Sequence, residues 1–199
     1  MKIVLVGATG MIGQAIVKEL AEHQVIQVGN SKGDYQVDIE DRASVSALFE
    51  KLGKVDAIIS TAGQIVFSAF NEMDFEQVKM TVDSKIMGNM NLFQIGSQYI
   101  NQGGSFTFTT GYLAQNPMPG STTISMVNAA LDAFAKAAAL EFGSDLRVNT
   151  VSPRFVKETM ELMGMDSSTG VPVADTAKAY RHAIASDESG QAFDVVDYI

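Results

Sequence analysis

The chain has 199 residues, 46% of them hydrophobic, with no cysteine and a formal net charge of −9. That suits one domain with a full core, spanning residues 1–199, and the absence of cysteine excludes disulfides, a thiolate nucleophile and a Cys-based zinc site. An acidic chain without a basic block also excludes nucleic acid and an anionic membrane as partners, because phosphate binding needs a basic face.

The N-terminal run MKIVLVGATG is too short and too soon broken for a signal peptide or a membrane span, so a soluble, cytoplasmic protein is expected. Within it, KIVLV reads as a buried strand ended by Gly7. MIGQAIVKELAE places Ile12, Ala15, Ile16 and Leu20 on one helix face. VIQVG is a second strand and YQVDI a short third. Asp41 can cap the helix RASVSALFEKLG, which stops at Gly53. VDAIISTAG is a fourth strand running into a Gly turn. Residues 74–101 carry the pattern of two helices. GSFTFTTG is a fifth strand, ISMVNAALDAFAKAAALEF a long helix, and LRVNTVSP a sixth strand stopped by Pro153. VADTAKAYRHAIAS is a last helix and AFDVV a last strand. His23 and His182 lie far apart among polar residues, which reads as two solvated histidines and no metal site.

Strands that alternate with helices throughout, and that are continuously apolar, imply a doubly wound α/β fold. Its parallel sheet is covered on both faces. Ligands of such sheets bind beyond the carboxyl ends of the strands. Gly7, the turn at 60–63, the stretch Thr109–Gly111 and Pro153 all fall at such ends and should converge on one crevice.

GATGMIG puts Gly7, Gly10 and Gly13 between the first strand and first helix. Glycines there permit a tight bend, close approach of a pyrophosphate and close helix packing, and the helix N-terminus offers free amides to the phosphates. Thr9, Met11 and Ile12 belong to the same loop. A carboxylate at the end of the second strand would hold a ribose hydroxyl and repel a 2′-phosphate. The chain has Asn30, Ser31 and Lys32 instead, with Asp34 close by, which favours NADP over NAD.

Together these residues resemble the short-chain dehydrogenase/reductase family over nearly the whole chain. GATGMIG, the VDI at 37–39, STAG at 60–63, TTGYLAQNPMP, NAALDAFAKAAALEF and RVNTVSP occur in the family's order. The resemblance implies a Rossmann-type fold, NAD(P)(H) binding, and oxidoreduction of a small carbonyl or alcohol. It adds Asp38, Ile39, Thr61, Ala62, Gly63, Asn128 and Pro153 to the expected cofactor contacts. It also implies a homo-oligomer, a dimer or tetramer, paired through the two long helices.

The family's ordinary members use a Tyr and a Lys four residues apart, a Ser about thirteen residues before the Tyr, and an Asn on the preceding helix. Matching NAAL to the family's Lys-Ala-Ala-Leu puts Ile124 at the Tyr and Asn128 at the Lys. The Ser role falls to Thr110 with a one-residue shift. KIMG matches Asn-x-x-Gly with Lys85 as the Asn, and Arg154 follows Pro153 where a Gly is usual. The chain is shorter than typical members after Pro153. Loss of the acid/base removes about 10²–10⁴-fold in rate. Thr110, Lys85, Tyr112 and Asn128 are the candidates to fill in. Met118, Met126, Met160, Met163 and Met165 could form an adaptable apolar pocket or simply pack. Two alternatives follow: a divergent NADP-dependent oxidoreductase, or a non-catalytic NADP(H)-binding or sensing protein.

Overall fold

The computed structural model covers Met1–Ile199. Seven strands form one sheet: β1 (Lys2–Val6), β2 (Gln24–Gly29), β3 (Tyr35–Gln36), β4 (Val55–Ser60), β5 (Ile100–Thr109), β6 (Leu146–Ser152) and β7 (Ala192–Asp194). Their order is β3-β2-β1-β4-β5-β6-β7, and every pair is parallel. The order reverses between β1 and β4. A crevice therefore opens above their carboxyl ends.

Side chains alternate across each strand, and both faces are buried. Val4 and Val6 of β1 face a core shared with α2 (Arg42–Leu52), α4 (Asn89–Gly96) and α5 (Thr122–Phe142). Ile3 and Leu5 face the other core, shared with α1 (Met11–Glu19) and α7 (Val173–Ala185). This is why the strands read as unbroken apolar runs. The remaining helices, α3 (Phe75–Val82) and α6 (Lys157–Leu162), lie at the crevice end of the chain's connections. No helix is long and apolar enough to cross a membrane.

The helix signals acted as expected in α2. The Asp41 side chain accepts from the Ala43 N–H at 2.9 Å, and Gly53 ends the helix at φ 63°. Three expectations need correction. The third strand pairs only through Tyr35 and Gln36, because Val37 and Ile39 turn inward to the core and leave the sheet edge. The two helices expected over 74–101 run on without a break, joined by a π-helical turn at Asp83–Gly88. His182 is half-buried rather than solvated. Its ring packs 4.9 Å from Phe193 and 4.5 Å from Tyr198, and Nε2 lies 2.9 Å from the Glu188 carboxylate.

Candidate active site

The carboxyl ends of β1, β2 and β4 border a groove of about 410 Å³. Nine of the expected cofactor contacts line it: Gly7, Thr9, Gly10, Asn30, Asp38, Ile39, Thr61, Ala62 and Gly63. Gly7 has φ +88°, and a Cβ there would stand 2.4 Å from Thr61 Oγ1, so this glycine lets the first and fourth strand ends touch. Gly10 caps α1 with no side-chain hydrogen bond, and a Cβ on it would meet only the Gly7 carbonyl, at 3.4 Å. The first-turn N–H groups at Met11, Ile12 and Gly13 have no intrahelical acceptor, and no loop carbonyl takes them. A polar groove ending on free amides and a side-chain-free cradle fits a dinucleotide pyrophosphate.

Six expected contacts stand elsewhere, Asn128 and Pro153 among them in the neighbouring pocket. Gly13 lies behind the loop, where a Cβ would be 2.2 Å from the Gly7 carbonyl oxygen, so it serves loop–helix packing rather than making room for a phosphate. The Met11 sulfur accepts from Thr159 Oγ1 at 3.3 Å, away from the groove. Ile12 lines the neighbouring pocket. Ser31 is exposed outside the groove lining, and its carbonyl accepts from Gln36 Nε2. Asp34 is not aimed at the groove either: it accepts from the Gln27 N–H at 2.9 Å. Glu40, which directly follows VDI and was not among the expected contacts, also lines the groove.

A second pocket, of about 280 Å³, adjoins the first and shares Thr61 and Gly63 with it. Thr110, Lys85, Tyr112 and Asn128 all line this pocket, with Ile124 and Pro153. Lys85 is only 6% exposed and Asn128 4%. Lys85 sits in the π turn, and its side chain crosses Gly63. Asn89 anchors it from behind: Nδ2 donates to the carbonyls of Lys85 at 2.8 Å and Ala62 at 3.3 Å, while Ser60 Oγ donates to Asn89 Oδ1 at 2.6 Å. The Gln64 N–H donates to Ser84 Oγ at 3.1 Å, a further tie between the turn after β4 and the π turn. The ammonium itself has no hydrogen-bond partner and no ion pair in the protein, and burial alone lowers its pKa to about 8.

The other candidates are more committed. Thr110 Oγ1 donates to the Val151 carbonyl at 3.3 Å. Beneath it, Asp132 takes the Thr150 hydroxyl at 2.6 Å, and its pKa is raised by burial. The Tyr112 ring lies 4.0 Å under the Arg154 guanidinium. That guanidinium forks onto Asp194, with Nε–Oδ1 at 2.9 Å and Nη2–Oδ2 at 2.6 Å. Arg154, Asn89 and the conformation of Gly63 went unrecognised as parts of this site. The departure from Gly after Pro153 was the available signal for Arg154. None of the five methionines lines the pocket: Met160 is buried and the other four are exposed. The apolar wall is formed by Ile65, Leu113, Ile124, Phe155 and Val156.

A family profile described as enoyl-(acyl carrier protein) reductase matches residues 2–195. The chain belongs to the short-chain dehydrogenase/reductase family. A solved protein of Listeria innocua is 37% identical, with a TM-score of 0.93 and coverage of 98% of this chain and 99% of that one. A small-chain dehydrogenase solved in complex with NADPH is 28% identical, with a TM-score of 0.87 over 96% and 94% of the two chains. An uncharacterised oxidoreductase of Methylorubrum extorquens is 26% identical over 87% of this chain and 81% of its own length. For the 2,3-dihydro-2,3-dihydroxybenzoate dehydrogenase of Escherichia coli, 30% identical, the match spans only 50% of the relative. As a short-chain dehydrogenase/reductase the chain is an oxidoreductase by type, from a family that uses NAD(P)(H) and small-molecule substrates.

Proposed function

We propose that this chain is an NADP(H)-dependent oxidoreductase acting on a small carbonyl or alcohol, with Lys85 handling the proton. The carrying observation is a largely buried lysine whose ammonium has no protein partner, in one pocket with Asn128 and Tyr112. A general acid works best with a pKa near the operating pH, and burial moves Lys85 in that direction. The adjoining groove, from Gly7 and Gly10 to Thr61 and Gly63, would hold a nicotinamide dinucleotide, which would supply or accept the hydride. In reduction, Lys85 Nζ gives its proton to the carbonyl oxygen as the carbon receives hydride, and the amine is reprotonated from solvent. In oxidation the same proton travels back. The Asn128 amide, packed against Gly111, offers hydrogen bonds to a ribose hydroxyl. Thr110 donates to backbone, and Ile124 can only pack.

Support for NADP lies in Asn30 at the groove, in the engagement of Asp34 with Gln27, and in the relative solved with NADPH. Asp38 and Glu40 in the groove, with no cation lining it, favour NAD instead. Thermal unfolding with each cofactor decides: NADPH should raise the melting temperature more than NADH, and equal or greater stabilisation by NADH removes the NADP assignment.

Ile124, buried where the family places its acid, favours the other reading, a non-catalytic NADP(H) binder or sensor. NADPH oxidation against a carbonyl panel separates the two. Turnover lost in Lys85→Met supports the enzyme. NADPH binding with no turnover on any carbonyl supports the sensor.

A further inference from the structure

The charges in the second pocket do not balance. Its lining holds two cations, Lys85 and Arg154, and no Asp or Glu. Arg154 is matched by the fork of Asp194. Lys85 has no such partner: no carboxylate pairs with its ammonium, and burial lowers its pKa. Elsewhere the chain is acidic, with a net charge of −9. The Lys85 side chain is buried along its length while its ammonium opens on the pocket, where a ligand that brings a counter-charge is favoured. The protein supplies none. The dinucleotide's own phosphates belong at the free amides of α1, in the other cavity.

We infer that the second pocket takes an anionic substrate, a small oxo or hydroxy carboxylate with an apolar tail, and that Lys85, which hands its proton to the carbonyl oxygen, also meets the neighbouring carboxylate as its counter-ion. This rests on the reading of that pocket as the substrate site. A carboxylate only accepts, and with Arg154 matched by Asp194 and Asn128 given to the ribose, the Lys85 ammonium is the one cation of this pocket free to meet it. The apolar part of the lining, Ile65, Leu113, Ile124, Phe155 and Val156, suits a short hydrocarbon tail. A volume of about 280 Å³ sets the size class as small.

The test uses the full chain, with and without saturating NADPH. Acetate, butanoate and hexanoate are titrated against acetamide, butanamide and hexanamide, with the melting temperature and the NADPH fluorescence as readouts. The carboxylates should bind at least tenfold tighter than the amides of equal length, and affinity should rise from acetate to butanoate. Lys85→Met should bring the carboxylates down to the amides, while Lys85→Arg keeps the preference. Equal binding of acids and amides by the wild type, which needs no variant to fold, overturns the inference. A preference that survives in Lys85→Met also overturns it. NADPH that fails to stabilise the wild type sinks the dinucleotide reading alone, because the carboxylate series without NADPH still reports on the pocket.

Discussion

A Cβ on Gly63 would stand 2.6 Å from Cδ of Lys85. The lysine reaches the pocket by crossing a residue that has no side chain. Gly63 also has φ +128°, a conformation that side-chain-bearing residues rarely adopt. Space and conformation therefore both require glycine at the turn after β4.

Gly63→Ala is expected to cost about 1–3 kcal/mol of stability through backbone strain. It should also displace Lys85 and reduce any carbonyl turnover at least tenfold. Urea unfolding and NADPH oxidation measure the two effects. A stable variant with wild-type turnover would mean that the turn relaxes and the lysine path is not fixed.

The stability of the protein should depend on pH through Lys85. Its folded pKa, about 8, lies below the ordinary 10.5. Between these values the unfolded chain binds more protons, so this group makes stability rise with pH there. Below about pH 8 the folded state bears the full cost of the buried charge, on the order of 3 kcal/mol at about 1.4 kcal/mol per pKa unit. Lys85→Met should thus be more stable than wild type at pH 6–7, by up to that amount. The advantage should shrink as pH approaches 10. Urea midpoints of both proteins across that range check it, and coincident curves at pH 6 would mean the ammonium stays hydrated.

Gly10 and Gly13 should separate binding from folding. A Cβ at Gly13 strikes the Gly7 carbonyl and the Ala8 backbone, whereas one at Gly10 meets only the Gly7 carbonyl at ordinary contact distance. Gly13→Val is expected to lose both NADPH binding and about 2 kcal/mol or more of stability, in the range of overpacking. Gly10→Ala should keep the melting temperature within a few degrees and weaken NADPH binding by narrowing the phosphate cradle. Calorimetric titration beside thermal unfolding of each variant tells these outcomes apart, and an unimpaired Gly10→Ala would move the phosphates off this loop.

We also propose a homo-oligomer. Leu140 and Met126 of α5 are 87% and 48% exposed, Phe75 of α3 is 78% exposed, and Met87 of the π turn is 51% exposed. Apolar side chains left open on neighbouring long helices suit an isologous contact. Light scattering should give a dimer or tetramer at micromolar concentration, and Met126→Glu with Leu140→Glu should shift the mass toward the monomer. A wild-type monomer would end this proposal.

Strands, the Gly loop and the Asp41 cap were legible because each is written in a few consecutive residues. Thr110 and Tyr112 were legible from the end of β5, whereas Lys85 and Asn128, inside helical segments, were placed by the family's motifs. The rest depends on contacts between distant segments. Nothing near Gly63 says that Lys85 will cross it, and nothing near Arg154 says that Asp194 will hold it. Asp34 looked like a rival for the ribose until the Gln27 N–H claimed its carboxylate. Gly13 looked like a phosphate contact because spacing alone does not distinguish a residue that faces a ligand from one that faces its own loop.

The π turn at Asp83–Gly88 holds one residue more than an α-helical turn would. Downstream, α4 is pinned in the core by Leu92 and Phe93, so its phase cannot change. Deleting one residue between Lys85 and Asn89 would close the bulge into regular helix and turn Lys85 about the axis relative to α4. The chemistry of the pocket is therefore encoded partly in chain length. A relative one residue shorter at this point would keep the same lysine and point it somewhere else.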